Sequence, residues 1–195
     1  MFTPRISYDD LPAPVHAWIE TTLGAAVAEH LPQTGGFSPG AAERLVLTDG
    51  RRAFCKAVHP SQNEGSAALY RDEIRANAAL PTGLPAPRLL ASTELDGWVV
   101  LLFSDVAGRQ PALPWRRDEY EATLAALHRI GAVDAAALAL PAAGELLADD
   151  YAGFARLLAD PGPTHPWIQR NLAALAGLAA AAAGRVDGDH LCVVD

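Results

Sequence analysis

Apolar positions in this 195-residue chain change rhythm along its length, and each change marks an element. Val15, Trp18, Ile19 and Leu23 recur at helical spacing behind entry prolines, which predicts a short leading helix over Pro14–Leu23. Gly24 to Gln33 is weakly strand-like, and Thr34 to Gly40 (TGGFSPG) holds too much Gly and Pro for regular structure. Two β-compatible runs, Glu43 to Thr48 and Arg51 to Val58, flank Asp49-Gly50, a strong short-range hairpin signal. Ser61-Gln62-Asn63-Glu64 matches a capping box and predicts a helix from about Gln62 to Leu80, stopped by Pro81-Thr82-Gly83-Leu84-Pro85. Arg88 to Thr93 and Trp98 to Phe103 predict a second hairpin around Asp96-Gly97. Val99 to Phe103 is apolar on both alternations, as in a strand covered on two faces, and is expected to be the central strand of a small sheet.

Beyond Phe103 the pattern turns helical. Ser104 to Pro114 (SDVAGRQPALP) is a polar, Gly/Pro-rich connector. Helical spacing follows over Asp118 to Ile130, Glu145 to Leu158 and the Ala-rich Trp167 to Ala183. A turn at Gly188-Asp189 leads into a β-type run, His190 to Val194, before Asp195. The expected class is therefore α+β. Residues 1–103 form an N-terminal lobe with a small antiparallel sheet and one main helix, 104–114 a hinge or linker, and 115–195 a mostly helical part.

Charge narrows the partners. A formal net charge of −8 and a pI near 5.1, without a basic stripe, argue against nucleic acid. Met1 to Asp10 carries Arg5, Asp9 and Asp10 and no apolar run, so it lacks a secretory pattern and a cytoplasmic location is expected. The longest apolar stretch, Leu172 to Gly184, falls short of the ~20 residues of a membrane span. Cys55 and Cys192 lack metal or redox spacing and read as buried free thiols.

Among the 15 basic side chains only Lys56 is a lysine. Lysine offers a compact ammonium on a thin stem where arginine presents a broad planar fork, so a crowded phosphate site would keep the slimmer group. Phosphoryl transfer needs phosphates held and a hydroxyl oriented in line. In the kinase arrangement a Gly-containing loop covers the phosphates, a strand lysine pairs with them, and a helix glutamate fixes the lysine. The chain supplies these in that order: Gly35, Gly36, Ser38 and Gly40 in the loop, then Lys56, then a helix with Glu64 and Glu73. Glu73 is the better placed, because the capping box occupies Glu64. Taken singly, each has a plainer reading: a turn, a solvated strand lysine, an exposed helical acid.

From the loop onward the segments TGGFSPG, RRAFCKAV, YRDEIRANAALPTGLPAPRLL, WVVLLFSDVAGRQP and LAALHRI resemble the aminoglycoside phosphotransferase family. That resemblance implies a protein-kinase-like two-lobed fold and Mg-ATP-dependent phosphorylation of a small hydroxylated acceptor. It implies a hinge at Phe103, Ser104, Asp105 and Val106, against which adenine lies, and it matches His128 to the family's Leu-His pair. The acceptor is left open among antibiotic, sugar, choline and amino alcohol, and acids at Asp149, Asp150 and Asp160 are candidates for attracting a cation.

Near the end, Leu191-Cys192-Val193-Val194-Asp195 resembles the segment that carries the catalytic aspartate, with Asp195 in that role and Asp187 and Asp189 as rivals. Val193 and Val194 stand where the family writes His and Gly, and the Asn and metal-binding Asp of the pattern do not follow. The expectation is a C-terminal lobe that is incomplete, cut at the catalytic loop, with no metal ligands assigned and negligible phosphotransferase activity in this polypeptide alone. The competing expectation is a non-catalytic kinase-like fragment that binds nucleotide or a protein partner; an unrelated α+β ligand-binding protein is a third.

Overall fold

The computed structural model describes residues 5–33 and 38–186. Five strands form one antiparallel sheet: β1 Val27–Pro32, β2 Ala41–Leu47, β3 Arg52–Val58, β4 Leu89–Leu95 and β5 Trp98–Ser104, in the order β1-β2-β3-β5-β4. The weakly patterned stretch after the leading helix thus becomes an edge strand. The middle position belongs to β3, not to the Val99–Phe103 run, which lies one strand further over. That run is nonetheless interior and covered on two faces, since Val99, Val100, Leu101 and Leu102 have no solvent exposure.

Its alternation sends residues into two cores. Val100 and Leu102 join Leu45, Ala53, Cys55 and Ala57 beneath helix α1 (Ala13–Leu23), which contributes Val15, Ile19 and Leu23. Val99, Leu101 and Phe103 join Val58 beneath helix α2 (Glu64–Ala79), which contributes Ala67 and Tyr70. A strand with alternate residues in separate cores must be apolar throughout, which explains the pattern. The β4–β5 turn puts both Asp96 and Gly97 at positive φ, 50° and 85°, the paired left-handed geometry of a tight hairpin in which Asp and Gly are favoured.

The start of α2 differs from the expected capping box. Asn63 is the cap, and its side chain accepts from Ser66 N at 2.7 Å. Ser61 and Gln62 instead serve His59: the Ser61 hydroxyl lies 2.7 Å from His59 Nδ1, and the Gln62 side chain accepts from His59 N at 3.0 Å. A turn held by its own side chains therefore displaces the helix start by two residues.

One carboxylate is buried in the α1-side core. Glu43, 1% exposed, accepts from Tyr8 N and lies against His30 Nδ1, each at 2.5 Å, while His30 Nε2 lies 3.2 Å from Asp9. These bonds satisfy a charge that would be costly alone, and they tie the 3-10 turn Tyr8–Asp10 to the sheet. Across β2–β3 from Glu43, burial first and that carboxylate second push the Cys55 thiol up to about 12.

The chain divides into two compact units, Met1–Leu127 and His128–Asp195, with the division inside helix α3 (Arg117–Gly131). In the second unit the helix expected over Glu145–Leu158 is interrupted at Leu147, giving α4 (Ala143–Leu146) and α5 (Ala148–Ala159); α5 packs on α6 (Pro166–Ala183). Among the described residues no helix is long and apolar enough to cross a membrane.

Candidate active site

Register fixes which side chains share a face. Ala42 pairs with Lys56 and Arg44 with Phe54 across β2–β3, while Lys56 pairs with Leu101 and Phe54 with Phe103 across β3–β5. Directly opposed residues point the same way, so Ala42, Arg44, Phe54, Lys56, Leu101 and Phe103 lie on the face that α2 covers in part.

On this face Lys56 Nζ meets Glu73 Oε2 at 2.5 Å, with the two side chains 24% and 31% exposed. The ammonium also lies 4.6 Å from the centre of the Tyr70 ring, within cation–π range. Tyr70 and Glu73 are three residues apart on α2 and so project from one side of it. Glu64 sits in the first turn of α2, and Asp72 pairs with Arg75 on the exposed surface. The lysine is thus held between a carboxylate and an aromatic face, with its side chain partly exposed.

The loop end reaches the same place. Tyr70 donates its hydroxyl to Ser38 Oγ at 3.1 Å, and Ser38 Oγ also accepts from Gly40 N at 3.3 Å. Burial raises the Tyr70 pKa above the ordinary phenol range, partly opposed by the bond to Ser38, so the hydroxyl stays a donor. Gly40 is required by packing: a Cβ there would run into Ala57 O and come within 2.9 Å of Val58 Cβ. The loop therefore enters β2 flush against the strand that carries Lys56. Gly35 and Gly36 lie outside the described residues, as do Asp187, Asp189, Val193, Val194 and Asp195.

At the far end of β5, Phe103 is buried, and Ser104 closes the strand by exchanging bonds with Arg88: its N–H donates to Arg88 O, and its Oγ accepts from Arg88 N, each at 2.8 Å. Asp105, with its side chain 7% exposed, accepts from Arg44 Nε at 2.5 Å, and Val106 O accepts from Arg44 Nη2 at 3.1 Å. Gln33, Arg44, Val106 and the stretch from Gly108 to Pro111 line a cavity of about 670 Å³. Of Phe103 to Val106, it is Val106 that lines this cavity, next to Arg44 from the sheet face that carries Lys56.

His128 is exposed in the last turn of α3. Asp149 pairs with Arg156, while Asp150 and Asp160 line a shallow groove along α5 that also holds Arg156.

Three members of this arrangement, Tyr70, Phe54 and Arg44, were not singled out by the sequence reading. A strand period of two and a helix period of three to four already carry the signal: Phe54 is two residues from Lys56, and Tyr70 is three from Glu73. Arg44 needed the β2–β3 register.

Chemically, the described residues offer a pre-oriented, partly exposed lysine beside a loop end, with Phe54 beside it on the same sheet face. That set fits a phosphate and a flat ring. Among the described residues no three His, Cys, Asp or Glu side chains gather as a protein-built metal cage needs. A magnesium ion carried by phosphates requires only one or two protein carboxylates.

No curated protein matches the chain. A crystal structure named as a provisional fructosamine-3-kinase from Haemophilus somnus 129PT superposes with a TM-score of 0.54 at 7% identity, covering 90% of this chain and 62% of that one. At such identity the likeness shows the fold, which is kinase-like, and this chain spans less than two thirds of that structure's length. The model of the phosphotransferase enzyme family, APH, matches residues 36–193, from the loop through β3, α2, the β5 end and the helices beyond. On that match the chain belongs to the APH phosphotransferase enzyme family.

Proposed function

We propose that this chain supplies the ATP-binding part of a cytoplasmic kinase that transfers phosphate from Mg-ATP to a hydroxyl of a small molecule, such as an aminoglycoside-like compound. The observation that carries the reading is the Lys56–Glu73 pair on the sheet face beside the loop end, with the lysine side chain 24% exposed. In this reading the Lys56 ammonium donates to phosphate oxygens, and Glu73 keeps it aimed while neutralising it in the empty site. Backbone N–H groups around Gly35, Gly36, Ser38 and Gly40 cradle the phosphates. The base lies against Phe54 beside Phe103, Ser104, Asp105 and Val106. Asp195 orients the acceptor hydroxyl and takes its proton. Magnesium, when bound, neutralises charge on the transferring group.

The small hydroxylated acceptor is the only partner in this reading, and the acidic charge leaves nucleic acid out. A second reading, a non-catalytic kinase-like chain that binds nucleotide or a protein partner, draws support from Val193 and Val194 standing where the family writes His and Gly. Mg-ATP titrated into the wild type and Lys56→Ala while thermal unfolding is followed tests the nucleotide site. The wild type should gain stability with ligand as mass action requires, and the variant should lose most of that gain. Equal shifts in both would remove the phosphate role from Lys56. Labelled phosphate transferred to a hydroxylated acceptor by this polypeptide would rule out the non-catalytic reading and, with it, the expectation of negligible activity.

A further inference from the structure

We propose that Arg5, from the leading segment of the chain, is a positioning residue for the nucleotide's phosphates because it braces the loop that covers them, an inference that rests on the nucleotide reading above. Arg5 and Ile6 touch the chain on both sides of that loop. Arg5 Nη1 donates to Gln33 O at 3.0 Å, just before Thr34, and Ile6 N donates to Pro39 O at 3.1 Å, just before Gly40. Gln33 N in turn donates to Ala42 O at 2.9 Å, so both backbone groups of Gln33 are engaged. The brace is itself anchored. Two residues on, Tyr8 N donates to the buried Glu43 carboxylate of β2, and the Tyr8 ring stacks on His16 with ring centres 4.5 Å apart. Arg5 lies outside residues 36–193, which the family model matches.

Two effects carry to the site. Pinning a short loop on both sides removes conformations that bound phosphates would otherwise have to freeze, so less of the interaction energy goes into ordering. Pinning Pro39 also sets its neighbour Ser38, whose Oγ accepts from Tyr70, the residue whose ring faces the Lys56 ammonium. The Arg5 charge reaches the same place: burial first raises the Tyr70 hydroxyl above the ordinary phenol range, and the bond to Ser38 and the Arg5 guanidinium oppose it. Arg5 therefore brings a second cation to the loop end, acting through Gln33. Its bond there runs from one N–H to one carbonyl, a contact that lysine can also make because no two-pronged geometry is required.

Dissociation constants of Mg-ATP and of adenosine, which has no phosphate, measured by calorimetry on the full chain and on Arg5→Met and Arg5→Lys, test this. Circular dichroism checks the folding of each variant. Arg5→Met keeps the apolar stem and removes the donor and the charge. It should weaken Mg-ATP binding by about tenfold, the size of one lost charge-assisted hydrogen bond, and leave adenosine within about twofold of the wild type. Arg5→Lys should bring Mg-ATP back to within about threefold of the wild type. Arg5→Gln, shorter and uncharged, carries the same expectation where Arg5→Met does not fold. Where adenosine proves too weak to measure, rescue by Arg5→Lys decides in its place. Unchanged Mg-ATP binding in Arg5→Met overturns the role of Arg5 and leaves the nucleotide site standing. So does an equal loss for both ligands, which marks general packing, or an Arg5→Lys variant as weak as Arg5→Met. A wild type that binds neither ligand removes the nucleotide reading and this inference together.

Discussion

Tyr70 does two things with one side chain: its ring faces the Lys56 ammonium, and its hydroxyl holds Ser38 at the loop end. The two can be separated. Tyr70→Phe keeps the ring and loses the hydroxyl bond, and should cost about 0.5–1.5 kcal/mol in denaturant unfolding. Tyr70→Leu also loses the aromatic face, and should weaken Mg-ATP binding further than Tyr70→Phe does. If the two variants bind Mg-ATP alike, the ring has no part in presenting the ammonium. At this scale the contact of Lys56 with Glu73 was legible, Lys56 through its singularity and Glu73 through its place in the order of elements. The sequence did not reveal Tyr70 or Arg44, because a tyrosine on an apolar helix face and an arginine in a strand look like core and surface until the register is known. The reason first given for setting Glu64 aside also changes. Asn63 forms the cap, and Glu64 is distant in sequence from the turn that carries Glu73.

Elements were easier to read than their ends. Hairpins came from Asp-Gly turns and β5 from its unbroken apolar run, both consequences of local chemistry. Misjudged points were the start of α2, where the His59, Ser61 and Gln62 side chains compete with the helix, and the break at Leu147, which has no side-chain cap. The connector after β5 offers a test at this scale. Glu119 in α3 accepts from Ala112 N at 2.7 Å and pairs with Arg109. The Ala112 bond first, and the Arg109 bond after it, hold the Glu119 carboxyl below its ordinary value of 4.5. A depressed pKa means that the ionised form is favoured by the fold. The attachment is therefore fully present above about pH 4.5 and is lost as pH falls through the lower folded value. Nuclear magnetic resonance should show the Ala112 amide shift moving with that titration, and Glu119→Gln should abolish the movement. An Ala112 shift that titrates unchanged in the variant would contradict the attachment.

For the whole molecule, the change from strand to helix rhythm foreshadowed the mixed α+β class, and the family resemblance foreshadowed the kinase-like fold. Family membership was legible because phosphate chemistry imposes an order, loop then lysine then glutamate, that survives when individual motifs are loose. The acceptor was not legible, because side chains brought together by packing leave no fixed spacing in a sequence. The central claim is that the Lys56 ammonium touches a nucleotide phosphate. Because Lys56 is the chain's sole lysine, an acyl-phosphate derivative of ATP, which acylates an amine lying against the terminal phosphate, reads this directly by peptide mass spectrometry. The account predicts one acyl adduct on Lys56, suppressed by excess Mg-ATP. Lys56 left unmodified, or acylated equally whether or not Mg-ATP is present, would contradict it.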